Sequence, residues 1–418
     1  MTPKAVSHLA RGAWITVGLL WFVGLLNYLD RLVITAMREP IVASIHMTEA
    51  QFGLLTSIFL WVYGVLSPAC GFLGDRLSRK KVIFTSLVVW SMVTWLTGHA
   101  QGFEQLFWAR ALMGISEACY LPAALALIAD YHRGPTRSFA TGLHGTGIFA
   151  GGALGGIGGY LAESMGWRGT FTLLGAIGVG YALILLIFLQ DAPAETGPAA
   201  PVSRREPVRI SHALRALFGR PTFCFLLLAN ALVGIANWTI YGWLPTFLRE
   251  RFDLSQGRAG LTATATLQIA SFAGILLGGS WSDFLSKRNP GARLLVPGWG
   301  YLAAAPALLL LASSPVLGVA LAGLVVYGVA RGFFDANLMP IVRQTVDERY
   351  SATAYGFLNF IGCMTGGVMT YAGGRLRDAG LSLTIAFQVC AAGILLTGLL
   401  LVWLKPAVHA ASPRAEAV

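Results

Sequence analysis

The sequence predicts an all-α membrane protein with twelve transmembrane helices in two similar halves of six. Three observations support this fold: the composition, twelve long apolar stretches, and an internal repeat. Of 418 residues, 56% are hydrophobic and only 12% are charged, and the mean hydropathy is +0.66. Because a soluble domain carries about 25% charged residues, this chain has too few charges to cover a water-facing surface. The composition therefore excludes a soluble enzyme, a disordered chain and a nucleic-acid binder.

Twelve apolar stretches are separated by clusters of charged and turn-forming residues, and each is close to the ~20 residues that a helix needs to cross a bilayer. The longest polar gap is 191–220. We predict that this gap is a cytoplasmic linker loop between an amino-terminal half (1–190) and a carboxyl-terminal half (221–418). The predicted spans are 13–37, 50–74, 81–100, 104–130, 139–162, 168–190, 221–247, 258–281, 293–312, 316–342, 350–374 and 381–404.

The net charge of +11 follows the predicted topology. If both termini are cytoplasmic, the cytoplasmic segments carry 20 Lys and Arg residues and the opposite segments carry 7. Positive residues are enriched on the cytoplasmic side of membrane proteins. We therefore predict a multi-pass protein of the cell (inner) membrane with both termini in the cytoplasm.

Short segments of the first half recur in the same order in the second half, at offsets between 208 and 218 residues. Two parallel halves related by an axis along the membrane normal describe one architecture of secondary transporters, with the substrate at their interface. The matched segments are Val23–Tyr28 with Val233–Trp238, Gly71-x-x-x-Asp75 with Gly279-x-x-x-Asp283, Gly114-x-x-Glu117 with Gly332-x-x-Asp335, and Ala140-x-Gly142 with Ala354-x-Gly356.

One of these segments carries a family resemblance. Gly71-Phe-Leu-Gly-Asp75-Arg76-Leu-Ser-Arg79-Lys80 resembles the loop-2/3 signature of the major facilitator superfamily, and the second copy is degenerate because Phe284 replaces an arginine. The resemblance implies a gate that holds one face of the transporter shut. The alternative is a solvated loop that only sets topology. The predicted gating residues are Gly71, Asp75, Arg76, Arg79, Lys80, Gly279 and Asp283.

Six ionisable residues lie inside the predicted spans. A charge in mid-membrane costs ~2.5–3.5 kcal/mol, so each needs a partner or a wet cavity. Protonation removes this penalty for a carboxylate, which makes Asp30 and Glu117 candidates for proton coupling. Arg331 and Asp335 are four residues apart and can instead form a structural pair. The six are Asp30, Arg31, Arg110, Glu117, Arg331 and Asp335.

The sequence motifs around the charged residues of spans one and four resemble those of the anion:cation symporter family. Members of that family carry small organic anions such as sugar acids and carboxylates. The matching residues are Asn27-Tyr28-Leu29-Asp30-Arg31 and Arg110-x-x-x-Gly114-x-x-Glu117-Ala118. The resemblance implies that Arg31 binds the anion, that Asp30 and Glu117 carry protons, and that Glu117 pairs with Arg110 once deprotonated. The expected coupling ion is the proton, and neither a cofactor nor a metal is expected.

Polar residues of the second half are further candidates for substrate contacts, although each can also serve only as a hydrogen bond between helices. The expected partners of the chain are a small organic anion, protons and the lipid bilayer, and a monomer is expected. The predicted substrate-binding residues are Arg31, Asn27, Tyr28, Tyr63, Arg110, Asn237, Trp238, Tyr241, Gln268, Arg331, Asp335, Asn337 and Asn359.

Three alternative functions stay open, the third being a receptor that binds its ligand without transporting it. The same span-one and span-four motifs resemble those of spinster-like transporters, as does Leu127-Ile-Ala-Asp130-Tyr131, which implies a lysolipid or other amphiphile as substrate. A facilitator without proton coupling is the second alternative. Drug efflux is disfavoured because residues 137–165 contain no proline, whereas the drug antiporters of the superfamily carry a Gly-Pro step in span five.

Overall fold

The computed structural model describes residues 3–132, 136–192, 210–289 and 291–411, and all regular secondary structure in these ranges is helical. The first half contains eight helices within the described ranges. They are α1 (Pro3–Val33), α2 (Arg38–Ser44), α3 (Glu49–Arg76), α4 (Arg79–Thr97), α5 (Phe103–Ala118), α6 (Tyr120–Tyr131), α7 (Arg137–Leu154) and α8 (Ile157–Phe188), with a 3₁₀ turn (Ile34–Met37) between α1 and α2.

The predicted span 104–130 is one crossing made of two helices, α5 and α6, which meet at Cys119. The chain reverses inside α8 at Gly166, whose φ of +74° suits glycine because it has no Cβ. Contacts show the reversal: Gly151 approaches Leu25 and Gly158 approaches Val33 along α1. The residues after Gly166 instead descend along α4. Spans five and six are therefore separate crossings, as predicted.

The second half begins inside the predicted linker. Residues 193–209 of that linker lie outside the described part, and Ile210–Phe218 forms helix α9 rather than loop. The correction has a simple cause, because short amphipathic helices in polar segments carry little apolar signal. The remaining helices are α10 (Pro221–Phe252), α11 (Gln256–Ser286), α12 (Ala292–Ser313), α13 (Leu317–Thr345), α14 (Ser351–Asp378) and α15 (Leu383–Ala411).

The prediction of twelve membrane crossings is confirmed. Nine helical segments in the described ranges are long and apolar enough to cross a bilayer. The other three crossings use α4, α14 and α7, the last continued by the start of α8. Of these, α7 and α14 carry more glycine and hydroxyl residues, which suit close packing between helices, and α4 begins with three basic residues and carries five Ser and Thr residues.

The two halves pack together along α3 with α14 and along α7 and α8 with α11. On α3, the close contacts run from Glu49, which meets Gly374, to Gly64, which meets Cys363. At 1.5 Å per residue this seam is ~22 Å long, about half of α3. We call the end of the bundle at which the seam begins the ion-paired face (residues 38–50, 249–257 and 374–383). The opposite end, at which α4 begins and α9 lies, is the linker face.

Candidate functional site

A buried ion pair joins α1 to α5 near the middle of the bundle. Nη2 of Arg31 lies 2.9 Å and its Nε 3.3 Å from Oε2 of Glu117, and Nη2 also donates to Oδ1 of Asn27 at 3.3 Å. Arg31 is 4% and Glu117 1% exposed. A charge-assisted contact through two nitrogens is among the stronger hydrogen-bonded arrangements. Sequence reasoning placed these residues at the site, but it did not pair them with each other.

Three aromatic rings surround the Arg31 guanidinium. Its Cζ lies 4.7 Å from the ring centre of Tyr28, 4.9 Å from that of Phe59 and 4.6 Å from that of Tyr63. Cation–π contacts of this length stabilise a desolvated guanidinium. Tyr28 and Tyr63 were predicted site residues. Phe59 was missed because a phenylalanine in an apolar span carries no distinguishing signal.

Arg110 differs from the prediction, because it does not pair with Glu117. Its guanidinium donates to the backbone carbonyls of Leu55 and Arg31, each at 3.4 Å, and Nη1 contacts Sδ of Met113 at 3.0 Å. With 1% exposure, it lies behind the Arg31–Glu117 pair. The reason for this difference is the rotation of α5 about its own axis. The side chain of Glu117 faces α1, where it contacts Arg31.

Close packing of α5 on α3 brings these charges together. A Cβ on Gly114 would lie 2.8 Å from the carbonyl oxygen of Phe59, closer than real Cβ atoms approach. Glycine therefore allows α5 to approach α3 at this level. The approach places Arg110 against the backbone of α3 and orients Glu117, three residues later, toward α1.

Asp30 lies in a separate enclosure beside the ion pair. It is 3% exposed, and Trp90 and Thr94 of α4 are the polar side chains near its carboxylate. Even so, Oδ1 of Asp30, Nε1 of Trp90 and Oγ1 of Thr94 have no hydrogen-bond partner within the described ranges. With Asp30 and Glu117 ionised, the two carboxylates balance the charges of the two guanidinium groups of Arg31 and Arg110.

The second half presents its own buried guanidinium. Nη1 of Arg331 donates to the hydroxyl of Tyr241 at 2.5 Å, Nε2 of Gln268 donates to the same hydroxyl at 2.9 Å, and Nε of Arg331 lies 3.5 Å from Oδ2 of Asp335. These four residues, each predicted separately as a substrate contact, therefore lie together in the structure. The side chain of Asp335 is 34% exposed and that of Arg331 is 10% exposed.

The remaining predicted substrate contacts are placed differently. Trp238 packs its ring 5.6 Å from that of Tyr241. Asn337 is fully buried and donates to the carbonyl of Phe333 on its own helix at 2.9 Å, so it does not reach the other site residues. Oδ1 of Asn237 is buried without a partner in the described ranges, and Asn359 is partly buried on α14.

A network of charges that sequence reasoning missed joins the two halves at the ion-paired face. Arg377 of α14 contacts Glu250 at 2.7 Å and Glu49 of α3 at 3.3 Å. Arg38 pairs with Glu49 and lies 3.8 Å from Glu250, and Arg249 pairs with Glu39. A signal was available: Arg38-Glu39, Arg249-Glu250 and Arg377-Asp378 are Arg–acid dipeptides at the ends of three predicted spans.

A helix cap strengthens this face. The carboxylate of Asp378 accepts hydrogen bonds from the backbone N–H groups of Glu49 at 2.8 Å and Ala50 at 3.0 Å. Both N–H groups belong to the first turn of α3, where backbone N–H groups have no partner within the helix. The helix dipole also favours a negative charge at this end. The second half therefore caps a helix of the first half.

The predicted gating residues lie at the linker face. The side chains of 71–76, including those of Asp75 and Arg76, lie outside the described part. Nε of Arg79 lies 3.4 Å from Asp130, Nζ of Lys80 donates to the carbonyl of Leu186 at 3.0 Å, and Asp283 pairs with Arg293 at 2.7 Å. Each of these contacts stays within one half, and a Cβ on Gly279 would lie 3.9 Å from Cβ of Ala336, an ordinary van der Waals distance within the same half.

Comparison with known proteins identifies the family. Residues 20–371 match the family model of the Major Facilitator Superfamily. An MFS-type efflux pump of Mycolicibacterium smegmatis is 28% identical over 422 residues, covering 97% of this chain and 95% of the pump. A probable sulfoacetate transporter of Cupriavidus necator is 24% identical over 416 residues, covering 96% of both chains. The human protein spinster homolog 1 is 30% identical over 311 residues.

The match to the human spinster homolog covers 70% of this chain and 59% of that protein, so the chain spans less than two thirds of its length. Among solved structures, a bacterial homologue of the human lysosomal transporter Spinster, in an inward-facing and unoccupied conformation, has a TM-score of 0.77 at 25% identity. That likeness covers 96% of this chain and 97% of the homologue. The chain is therefore a membrane transporter that belongs to the Major Facilitator Superfamily.

Proposed function

We propose that the chain is a proton-coupled symporter that carries a small organic anion across the inner membrane by alternating access. The observation that carries this proposal is the Arg31–Glu117 pair. The carboxylate of Glu117 is bound to the buried guanidinium of Arg31, with 2.9 Å between Oε2 and Nη2. A carboxylate substrate needs the same donors. Substrate and Glu117 therefore compete for Arg31, and protonation of Glu117 releases the guanidinium to the substrate.

The charge balance of the cluster supports coupling. When Asp30 and Glu117 are ionised, they neutralise Arg31 and Arg110, so an added anion would leave a net negative charge in a low-dielectric site. When both carboxylates are protonated, two guanidinium groups lack counter-ions, and a buried charge without a partner is costly. A bound anion then supplies a counter-ion to one of these guanidinium groups. Proton binding and anion binding thus favour each other.

Asp30 supplies the second proton site in this mechanism. Its carboxylate is enclosed and incompletely hydrogen-bonded, and a charged carboxylate in such a position is costly. It makes no direct contact with Arg31. We propose that its protonation changes the charge of the cluster without displacing any ligand.

We infer that the structure represents the inward-open state. The positive-inside count puts both termini and the linker face in the cytoplasm, so the ion-paired face is extracytoplasmic. Asp335 is more exposed than Arg331, which lies one helical turn nearer the ion-paired face. The likeness to an inward-facing structure agrees with this orientation. In the outward-open state the residues of the predicted gate, Gly71–Lys80, would close the linker face.

In the proposed cycle the halves 1–190 and 221–418 rock about the midplane site. Outside, Asp30 and Glu117 bind protons and the anion docks on Arg31. Inside, the anion and the protons leave, and Glu117 pairs with Arg31 again. The whole path lies within one chain, so a monomer is sufficient.

A second candidate function is export of a lysolipid or another amphiphile. The likeness to a bacterial spinster homologue favours it, as does the match to human spinster homolog 1. A thermal-shift screen separates the candidates. Purified protein is tested at pH 5.5 and 7.5 with sugar acids, carboxylates and lysolipids. Stabilisation by anions that is stronger at the lower pH supports symport, and stabilisation by lysolipids alone contradicts it.

A flux experiment tests the coupling. Proteoliposomes with an imposed inward proton gradient are given the anion found in the screen. The wild type is expected to accumulate it, whereas Asp30→Asn is expected to lose accumulation, because a neutral amide cannot release a proton. Ser164→Ala, at an exposed position of α8, is the control. If Asp30→Asn and Glu117→Gln both still concentrate the anion, proton coupling through these residues is wrong.

A further inference from the structure

The guanidinium of Arg331 resembles that of Arg31 in its surroundings. Arg331 lies in the middle of α13 and Arg31 in the last turn of α1, and both are nearly buried, at 9% and 4% exposure. Each is held against a tyrosine ring: Cζ of Arg331 lies 5.2 Å from the ring centre of Tyr241 and Cζ of Arg31 4.7 Å from that of Tyr28. The two halves therefore each present one aromatic-bound guanidinium.

Each guanidinium also holds a carboxylate from an equivalent position of the repeat. Glu117 follows Gly114 by three residues, and Asp335 follows Gly332 by three residues. Glu117 contacts Arg31 at 2.9 Å and Asp335 contacts Arg331 at 3.5 Å. The contact of Asp335 is longer and its side chain more exposed, so a ligand from the linker face would replace it more readily than Glu117.

The two sites meet along α7. Gly151 of α7 and Gly155 directly after it pack against Leu25 and Leu32 of α1, on either side of Tyr28 in the sequence. Gly152 packs against the side chain of Gln268, which donates to Tyr241. The two guanidinium groups therefore lie at the same interface between the halves. The second site also has an unused hydrogen-bond acceptor. Gln268 is only 2% exposed, and its Oε1 has no hydrogen-bond partner in the described ranges.

We propose that Arg331, held by Tyr241, is a second anion subsite, and that the substrate is a small dianion, such as a dicarboxylate, that bridges Arg31 and Arg331. This inference rests on the proposed organic-anion function. In the structure the carboxylates of Glu117 and Asp335 occupy the positions at which the two carboxylates of the ligand would bind. When Glu117 and Asp335 are both protonated, a dianion leaves each guanidinium paired, whereas a monoanion leaves one of the two guanidinium groups without a counter-ion. Gln268 can accept a hydrogen bond from a hydroxyl group on the ligand.

The test compares acids that differ only in the second carboxylate. Binding of succinate, glutarate and adipate to purified full-length protein at pH 5.5 is measured by calorimetry beside butyrate, valerate and caproate. The wild type is expected to bind at least one diacid tenfold or more tightly than its matched monoacid. In Arg331→Gln the affinity for the diacid is expected to fall to that for the monoacid. The affinity for the monoacid is expected to change less than twofold. Arg331→Lys is expected to keep part of the preference.

The matched control is Arg343→Gln, an exposed arginine in the last turn of the same helix, which is expected to keep the full preference. If Arg331→Gln does not fold, Tyr241→Phe replaces it, because loss of the hydroxyl releases Arg331; a loss of threefold or more in the diacid preference is then expected. A wild type without preference for diacids overturns the dianion proposal. So does equal loss of diacid and monoacid in Arg331→Gln, or a preference unchanged in that variant.

These failures are distinct from failure of the proposed function. If monoacids bind through Arg31, so that Arg31→Ala abolishes their binding, while diacids gain nothing, only the second subsite is wrong. If the wild type binds none of the six acids, the organic-anion function fails, and the dianion inference fails with it.

Discussion

Glu117 and Arg31 form an ion pair at 2.9 Å between α5 and α1, two helices that are far apart in sequence. The pair is buried and lies beside Tyr28 and Tyr63. A guanidinium that already holds a carboxylate can bind a substrate carboxylate only after the first one moves or is protonated. Competition at one guanidinium is therefore the physical basis of the proton coupling that we propose.

Glu117→Gln is expected to abolish proton-driven accumulation while substrate exchange persists. A neutral amide holds Arg31 less strongly than a carboxylate, by ~1 kcal/mol, so substrate affinity should rise about fivefold and lose most of its dependence on pH. Binding between pH 5.5 and 7.5 and exchange in proteoliposomes check this. Glu104→Gln, an exposed position at the start of α5, is the control. A variant that still accumulates substrate would show that Glu117 is not the coupling group.

Arg31→Lys is expected to weaken substrate binding at least tenfold although the charge is kept. The guanidinium contacts Glu117 through Nε and Nη2 at once and lies over three rings, whereas an ammonium is a point charge without a planar face. Titration calorimetry measures the loss, and Arg215→Lys, exposed on α9, serves as control. Unchanged affinity in Arg31→Lys and in Arg31→Ala would place the first anion site elsewhere.

Arg377→Gln is expected to shift the resting population toward the outward-open state. Arg377 contacts Glu49 of the first half as well as Glu250 of its own half, with a side chain that is 17% exposed. Loss of the Arg377–Glu49 pair removes ~1 kcal/mol from the state that has it, which changes the ratio of states about fivefold. The effect should weaken at high salt.

Spin labels at 137 and 343, on opposite halves of the linker face, report this shift as a shorter distance. The labels are placed in a background without the native cysteines. Arg293→Gln is the control, because its ion pair with Asp283 joins residues of the same half. An unchanged distance distribution in Arg377→Gln would mean that the network does not hold the two halves together.

Gly156→Ala is expected to favour the outward-open state by at least fivefold. A Cβ on Gly156 would lie 2.2 Å from the backbone of Gly260 in the other half, and overpacking of this kind costs ~1–3 kcal/mol. Separation of the halves relieves the clash. The same pair of spin labels measures the ratio of states.

Gly151→Ala is the matched control for this glycine. Its Cβ would lie 2.0 Å from the carbonyl oxygen of Leu25, which belongs to the same half. This clash is present in both states, so Gly151→Ala should lower the melting temperature without changing the ratio. If the two variants behave alike, the Gly156–Gly260 contact has no part in alternating access.

The twelve crossings were predictable from the sequence, because each depends on local composition over about 20 residues. The break between α5 and α6 at Cys119 and the existence of helix α9 could not be predicted, because neither feature produces a recognisable change in local hydropathy. The site was predicted as a set of residues: Asp30, Arg31 and Glu117 are conspicuous because charges are rare in apolar spans. Phe59 was not, since its contact with Arg31 depends on which face of α3 meets α1.

The sequence by itself determined the fold class, the family resemblance and the charges inside the membrane, because these are properties of composition, spacing and short motifs. Only the tertiary structure decided the partners. Glu117 pairs with Arg31 and not with Arg110, Asp378 caps α3 from the other half, and the ion-paired face joins Glu49 to Arg377, which is 328 positions away in the sequence. The reason is geometric: a few ångströms of helix approach and a rotation about the helix axis select one partner among several charges, and neither quantity is written in the local sequence.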